Sequence, residues 1–308
     1  MKNILFIVLA LFTVHLKAED GNSNAEMMPK FTKSLYLGVT TNSSQIVAVG
    51  ERGHIALSLD YGETWQQADN VPTRVTLTSV SMFNNNIWAV GHDTTIIYSS
   101  DGGKNWEKQF EDKDRQMPLL DVMFINESEG IAIGAYGTYL TTYDGGKNWN
   151  DTLIVEDQDF HLNKIIKVDD YKLFVVAEAG NVYRSFDSGK NWESLQLPYL
   201  GSMFGVASYN NQLILYGLRG NVLVTDDFGD SFVHIDSPIQ DSLFGSAHTF
   251  SNKLLLVGAN GAVLQFRNNS LNKIDIPNSD GDFTAVLSIK NNKIVIVGES
   301  GISTKQIR

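Results

Sequence analysis

Short apolar runs that end in a glycine-bearing turn recur seven times along the chain. The runs begin at Val47, Trp88, Ile131, Val175, Leu215, Leu256 and Ile296. Gly50 and Gly298 are equivalent glycines of the first and last copies, and they lie 248 positions apart over six intervals. The mean period is therefore about 41 residues, which is typical of a repeat architecture built from one supersecondary unit.

A second element, Ser/Thr-x-Asp-x-Gly-x-x-Trp/Phe, follows the apolar run and is complete in five copies. A turn carboxylate accepts bonds from backbone N–H groups, glycine supplies a positive φ, and the aromatic residue covers the turn with an apolar face. We assign a structural role to the aspartates and aromatic residues of this element: Asp60, Trp65, Asp101, Trp106, Asp144, Trp149, Asp187, Trp192, Asp227 and Phe232. The sixth copy has decayed at residues 265–269.

Another strand precedes each glycine turn, as in residues 77–83, where apolar and small or polar positions alternate. Each repeat then reads strand A, strand B, glycine turn, strand C, Asp turn, strand D. Four strands per repeat of this length predict an all-β, single seven-bladed β-propeller with four antiparallel strands per blade. We expect residues 27–33 to pair as the outer strand of the seventh blade, so that the ring is closed by the N-terminal strand.

The N-terminus has the composition of a signal peptide. Lys2 precedes an apolar run over residues 4–14, and an acidic, polar stretch follows Ala18. The run is too short to span a bilayer, so we predict a signal peptide at residues 1–18 and a propeller domain at 19–308. The protein is expected to be exported, to the periplasm or as a secreted protein, and not itself to span the membrane.

Composition narrows the classes of partner and cofactor. The net charge is −11 and cysteine is absent, so nucleic acid, disulfide scaffolds and thiolate zinc sites are not expected. The histidines show no metal-ligand spacing and no phosphate-binding glycine loop occurs. We predict no metal, no cofactor and no catalytic residues.

The repeat resembles that of the photosystem II stability/assembly-factor propellers, through residues 122–149 in particular and through the Asp-box of bacterial neuraminidase-type repeats. The resemblance covers about residues 31–308 and is strongest in the first five blades. It implies a seven-bladed, exported propeller that helps a membrane-protein complex to assemble and is not an enzyme. The arginine-rich patch ascribed to photosynthetic members has no clear counterpart in this arginine-poor, acidic chain.

The turns between strands B and C vary in sequence and lie on one face of a propeller together with the linkers between blades. We predict a partner-binding face there, formed by Glu51, Arg52, His92, Asp93, Tyr136, Glu178, Arg219, Asn260 and Glu299. The leading hypothesis is a non-catalytic interaction, assembly or stability factor for a membrane or cell-envelope complex. The alternative is a carbohydrate-active propeller, a glycoside hydrolase or a lectin of the Asp-box type that binds a glycan.

Overall fold

The computed structural model describes residues 24–155, 158–277 and 280–307. Their strands form seven separate sheets of consecutive antiparallel strands. Strand A lies nearest the axis, and the A strands of neighbouring blades contact one another around the complete ring, from blade 1 to blade 2 and finally from blade 7 back to blade 1. The prediction of a seven-bladed propeller is confirmed.

Blades 1 to 4 each contain four strands. Blades 1 and 2 comprise β1 (Tyr36–Thr41), β2 (Ile46–Gly50), β3 (Ile55–Ser58), β4 (Gln66–Gln67), β5 (Leu77–Phe83), β6 (Asn86–Gly91), β7 (Ile96–Ser99) and β8 (Glu107–Phe110). Blades 3 and 4 comprise β9 (Leu119–Phe124), β10 (Gly130–Gly134), β11 (Tyr139–Thr142), β12 (Asn150–Thr152), β13 (Leu162–Lys167), β14 (Leu173–Ala177), β15 (Asn181–Ser185) and β16 (Glu193–Gln196).

The remaining blades differ in strand number. Blades 5 and 6 comprise β17 (Met203–Tyr209), β18 (Gln212–Gly217), β19 (Val222–Thr225), β20 (Val233–Ile235), β21 (Leu243–His248), β22 (Leu254–Gly258), β23 (Val263–Arg267) and β24 (Ser270–Lys273). Within the described ranges, blade 7 has three strands, β25 (Phe283–Ile289), β26 (Lys293–Gly298) and β27 (Gly301–Gln306). The helical elements of the described residues are 3-10 turns at Phe31–Lys33, Glu51–Gly53, Ala135–Gly137, Leu218–Gly220 and Ala259–Gly261.

The B strands are the most apolar because both of their faces are covered. Every residue of β2, β10, β14 and β22 is buried. Seven apolar clusters lie between successive pairs of blades. The core is therefore a ring of inter-blade layers, since each sheet packs on a neighbour through both faces.

The predicted closing strand was wrong. Residues 31–33 form a 3-10 turn beside β27, and the sheet of blade 7 ends at β27. Residues 24–28 instead lie across the linker after blade 1, where Ala25 N–H donates to the Val71 carbonyl (2.9 Å) and Met28 N–H donates to Gln67 Oε1 (2.8 Å). Residues 24–28 are therefore held against β4 and the linker after blade 1, residues 31–33 bond within their own 3-10 turn, and neither segment pairs with β27.

The ring closes through side chains at the junction of blades 7 and 1. Tyr36, Ile46 and Ala48 of blade 1 pack on Val295 and Val297 of blade 7. Polar contacts across the same junction run from Thr284 Oγ1 to the Tyr36 carbonyl (2.7 Å), from Thr304 Oγ1 to the Gly62 carbonyl (2.7 Å) and from Lys293 Nζ to Glu63 Oε1 (2.6 Å). Among the residues with a described structure, no strand is shared between the two blades.

The predicted signal peptide, residues 1–18, lies outside the described residues. Within the residues that the structure describes, no helix has both the length and the apolar character that crossing a bilayer requires.

Candidate partner-binding face

The turns between strands B and C lie on one face together with the linkers between blades, which we call the B–C face. Backbone bonds join the two sets of loops, since Gly53 N–H donates to the Val75 carbonyl (2.9 Å) and Gly137 N–H donates to the Phe160 carbonyl (3.0 Å). All nine residues predicted for the partner face lie in these turns. Six are exposed, namely Arg52, His92, Tyr136, Arg219, Asn260 and Glu299, whereas Glu51, Asp93 and Glu178 are half-buried.

The second residue of most B–C turns has a left-handed backbone. Its φ is 56° at Arg52, 52° at Tyr136, 55° at Ala179, 57° at Arg219 and 53° at Asn260. Glycine and asparagine adopt this conformation readily, whereas for other L-residues it costs roughly 1–2 kcal/mol. Arginine and tyrosine thus occupy exposed positions at which the backbone alone favours glycine.

Three glutamates of the predicted face have an internal role. Glu51 Oε1 accepts the Leu35 N–H (3.2 Å), Glu178 Oε1 accepts the His161 N–H (2.9 Å) and Glu299 Oε2 accepts the Asp282 N–H (3.4 Å). In each case the carboxylate ties a B–C turn to the backbone just before strand A of the same blade. The sequence signal for this role is Glu at the first position of three turns, a regularity that the prediction of a variable partner face overlooked.

An aromatic patch lies on the B–C face between blades 3 and 4. Tyr136 is 56% exposed, and its ring meets the His161 ring edge-on with centroids 4.9 Å apart. His161 Nδ1 is also 3.6 Å from Glu178 Oε2. The patch offers an exposed aromatic face beside groups that accept and donate hydrogen bonds, a combination enriched at protein interfaces.

His54 directly follows the first B–C turn and is buried beneath the surface of that face. The residue is 1% exposed, and its Nδ1 lies 3.1 Å from Ser34 Oγ. Burial lowers the pKa of His54 below its usual value because the charged imidazolium is poorly solvated there, and Glu51 opposes the shift. The folded protein therefore favours the neutral ring.

The turns between strands C and D lie on the opposite face, which we call the Asp-turn face, and share one hydrogen-bond pattern. In blade 2, Ser99 Oγ donates to Asp101 Oδ1 (2.8 Å) and accepts the Gly103 N–H (2.8 Å). Asp101 also accepts the backbone N–H of Asn105 (3.0 Å) and its side-chain amide (2.8 Å). The same set occurs around Asp60, Asp144, Asp187 and Asp227.

The residue four positions after each aspartate completes the turn, although it was not among the predicted motif residues. Its backbone and side chain both donate to the carboxylate, at Thr64, Asn105, Asn148, Asn191 and Ser231. Every one of the five is a small residue with a side-chain donor. That restriction is visible in the sequence when the repeats are aligned.

These hydrogen bonds hold the aspartates ionised. Bonds from Thr64, Asn105 and Asn191 lower the pKa of Asp60, Asp101 and Asp187, respectively, to about 2. The pKa values of Asp144 and Asp227 are lowered by the equivalent donors. Asp60 and Asp101 border one cleft between blades 1 and 2, but both oxygens of each carboxylate already accept hydrogen bonds within their own turn. The geometry gives these residues a structural role.

The aromatic residue of the Asp turn fills the core between its own blade and the preceding one. Trp106 is 7% exposed in the core between blades 1 and 2, and its Nε1 donates to the Gly103 carbonyl (2.8 Å). Trp65, Trp149, Trp192 and Phe232 pack at the equivalent junctions. Where the motif is lost, Leu271 and Ile307 lie in the cores between blades 5 and 6 and between blades 6 and 7.

A cavity of about 210 Å³ lies at the propeller axis. In every blade, strand A skips one residue in its pairing with strand B. Such a bulge redirects a side chain, and the seven bulged residues line the cavity: Leu37, Thr78, Leu120, Asn163, Phe204, Phe244 and Thr284. Three of them donate to the backbone of the next blade, including Asn163 Nδ2 to the Met203 carbonyl (2.9 Å).

Asp121 ties three blades together beside this cavity. Its side chain is 2% exposed and lies 2.8 Å from Lys164 Nζ of blade 4. Ser79 Oγ of blade 2 donates to Asp121 Oδ1 (2.7 Å), and Ile165 N–H donates to Oδ2 (3.0 Å). A buried carboxylate needs such partners. The sequence signal is a charged residue in an otherwise apolar inner strand, and Asp121 was not among the predicted site residues.

Metal-ligating side chains do not converge in the described part of the chain. Across residues 24–155, 158–277 and 280–307, no group of three or more His, Asp or Glu side chains is arranged to hold a metal ion.

The fold is that of a seven-bladed propeller. The aspartates of its Asp turns are hydrogen-bonded within their own turns, and its B–C face carries exposed arginine, histidine and tyrosine side chains. The family model of the photosynthesis system II assembly factor YCF48 matches residues 32–118 and 109–203, which together span more than half of the chain. The chain belongs to this family. No curated protein matches the chain.

Solved structures share the fold at low sequence identity. One described as YCF48 bound to D1 peptide has a TM-score of 0.72 at 18% identity and covers 94% of this chain and 98% of its own. YCF48 from Cyanidioschyzon merolae has a TM-score of 0.72 at 14% identity, with coverages of 91% and 97%. The WD40 propeller domain of Doa1 gives 0.67 at 13% identity, with coverages of 88% and 92%.

Proposed function

We propose that this protein is a non-catalytic assembly or stability factor that binds a peptide segment of a partner protein through its B–C face. Membership of the YCF48 family supports the class of function, and a similar structure is described as bound to D1 peptide. The observation that carries the proposal is the exposure of two cationic side chains, Arg52 and Arg219, and of the Tyr136 ring on the same face. Exposed arginine and aromatic side chains are enriched at protein interfaces.

The partner is proposed to belong to a membrane or cell-envelope complex. The predicted signal peptide supports export of the protein. A propeller with large exposed loops on one face presents a rigid platform to such a partner. The binding face is proposed to combine two cations, Arg52 and Arg219, with the aromatic patch at Tyr136.

A capture experiment tests this function. The protein is crosslinked mildly in its native envelope and the captured proteins are identified by mass spectrometry. We expect one membrane complex to be enriched, and we expect the Arg52→Glu/Arg219→Glu double variant to lose that enrichment. The matched control is Lys104→Glu/Lys147→Glu, which makes the same change in charge with two exposed residues of the Asp-turn face.

Equal loss in both double variants would mean that net charge, rather than the B–C face, governs capture. The absence of any enriched complex would contradict the proposed function. In that case a glycan panel tests the carbohydrate-active alternative, for which binding or turnover of a glycan is required. The internally bonded Asp-turn carboxylates do not favour that alternative.

A further inference from the structure

The outer edge of blade 7 is unpaired among the described residues. The other six sheets have a strand D beyond strand C, whereas β27 pairs with β26 alone. The two strands are joined by a two-residue turn between Gly298 and Gly301, and Ile307 N–H donates to the Asn292 carbonyl (2.9 Å). Antiparallel ladders alternate in direction at each residue, so the backbone groups of Ile302 and Thr304 point away from β26.

These outward groups have no hydrogen-bond partner within the part of the chain that the structure describes. The 3-10 turn at Phe31–Lys33 reaches only the beginning of β27, where a Cβ on Gly301 would collide with the Thr32 carbonyl. It therefore limits how far an added strand extends at that end. A free row of N–H and C=O groups is a template for pairing with another extended segment.

A groove of about 180 Å³ runs beside this edge and adds a second, independent feature. Ser303 and Lys305 of β27 line it on one side, and Asp280 and Asp282 of the linker line it on the other. The opposite face of β27 is closed, because Ile302 is 8% exposed in the core shared with blade 1. A strand added at the edge would therefore direct alternate side chains into the groove.

Blade 4 shows how such a strand is placed. Val182 pairs with Val176 of strand B as Ile302 pairs with Val297, so β15 and β27 occupy equivalent positions. Strand D of blade 4 has four residues and pairs with residues 181–184. The equivalent positions in blade 7 are residues 301–304.

The charges beside the edge indicate the chemistry of the occupant. Asp280 and Asp282 lie in the groove, and Glu299 is next to them, with its Oε2 accepting the Asp282 N–H. Lys33 and Lys305 also line the groove, but Lys305 Nζ is directed to the Pro277 carbonyl (3.4 Å). The end of the groove near Asp280 therefore complements a basic side chain.

We propose that an extended segment of the partner protein, with a basic side chain directed at Asp280 and Asp282, pairs antiparallel with β27 and completes blade 7. The proposal rests on the proposed function and adds a second contact with the partner, at the outer edge of blade 7, to the contact at the B–C face. The main-chain bonds to Ile302 and Thr304 provide affinity, and the groove selects the side chain.

The test uses the full chain labelled with 15N and two synthetic probes, acetyl-TVKVKVT-amide and its acidic counterpart acetyl-TVEVEVT-amide. Amide hydrogen exchange is read residue by residue. In the free protein we expect fast exchange at Ile302 and Thr304 and slow exchange at Ser303 and Lys305, which are bonded to β26. With the basic peptide at about ten times its Kd, exchange at Ile302 and Thr304 should slow about tenfold, and the acidic peptide should have a much smaller effect.

Two variants separate the edge from the side chain. Thr304→Pro removes the outward N–H at a position where proline is tolerated on an edge, whereas Thr304→Val keeps that N–H and loses only the hydroxyl. Loss of peptide protection in Thr304→Pro but not in Thr304→Val supports the proposal. Protection already present in the free chain would mean that its own residues cover the edge, and that result, or equal effects of both peptides, would overturn the proposal.

The capture experiment distinguishes this proposal from the proposed function. If the partner complex is captured by Thr304→Pro as well as by the unmodified protein, the assembly function stands and the β27 site is wrong. If no complex is captured at all, the proposed function fails, and the peptide-exchange result alone decides whether β27 accepts a strand.

Discussion

The two faces of the propeller use polar residues in opposite ways. On the Asp-turn face, each aspartate of blades 1 to 5 is bonded within its own turn by a hydroxyl, a backbone N–H and a second side chain. On the B–C face, the turns differ between blades, and Arg52, Tyr136 and Arg219 extend into solvent from left-handed backbone. Regular repetition therefore marks residues that hold the fold, and the variable turns are where we propose that a partner binds.

Loss of an aromatic residue of an Asp turn should have the largest effect on the stability of the propeller. Trp106→Ala is expected to lower the free energy of unfolding by about 3–5 kcal/mol, because it leaves a large cavity between blades 1 and 2. Urea denaturation measures the change. Tyr143→Ala, at a 64% exposed residue of the same face, is the control and should stay within about 0.5 kcal/mol.

Loss of an Asp-turn carboxylate should have a smaller effect. Asp101→Ala is expected to cost about 1 kcal/mol, as does loss of a side chain that caps backbone N–H groups elsewhere. Asp114→Ala, at an exposed linker residue, is the control. If both variants unfold at the same urea concentration, the hydrogen bonds of the turn make no net contribution to stability.

The same turns predict acid sensitivity. Asp60, Asp101 and Asp187 have pKa values of about 2 in the folded protein, below the value of about 3.9 for an unfolded chain. Their contribution is present above that value and is lost as pH falls from about 4 towards 2. Asp101→Ala should therefore lose less stability than the unmodified protein between pH 5 and 3 in urea titrations.

His54, beside the B–C face, should also make the free energy of unfolding depend on pH, over a higher pH range than the aspartates. Its folded pKa lies below that of the unfolded chain, about 6.5, so the unfolded state binds the proton first. Stability should fall as pH drops below about 6.5, and His54→Gln should flatten this part of the profile. His92→Gln, at an exposed histidine of the same face, should leave the fall in place.

The smallest expected effect is a gain in stability. Arg219→Gly relieves the left-handed backbone and should raise the free energy of unfolding by about 0.5 kcal/mol after the extra freedom of glycine in the unfolded chain is included. The same variant should weaken partner capture. Lys147→Gly, where φ is not positive, should instead destabilise. Destabilisation by Arg219→Gly would show that the arginine has a structural role.

The repeat allowed the fold to be predicted from sequence because each blade repeats the same local turn chemistry. The period of about 41 residues indicated the number of blades, and the Asp, Gly and aromatic positions indicated the turn between strands C and D. Ring closure was not predictable in this way. Whether residues 27–33 pair with β27 depends on Gln67 and Val71, which bind Met28 and Ala25, respectively, beside another blade.

The candidate site was predicted only in part for a related reason. The sequence placed the nine residues on one face but could not separate Glu51, Glu178 and Glu299, whose carboxylates bond to nearby backbone, from Arg52 and Arg219, whose side chains are exposed. Left-handed backbone at a turn is set by the hydrogen bond between its ends, and no residue type there signals it reliably. Asp121 was missed because its partners, Ser79 and Lys164, lie 42 and 43 residues away in neighbouring blades.

The closure of the ring without a strand shared among the described residues has a consequence for how the gene can change. Each sheet is made of consecutive strands, so one blade corresponds to one uninterrupted stretch of coding sequence. An in-frame duplication or deletion of about 41 codons, the length of one repeat, would add or remove the strands of one blade. The order of strands in every other sheet would stay the same.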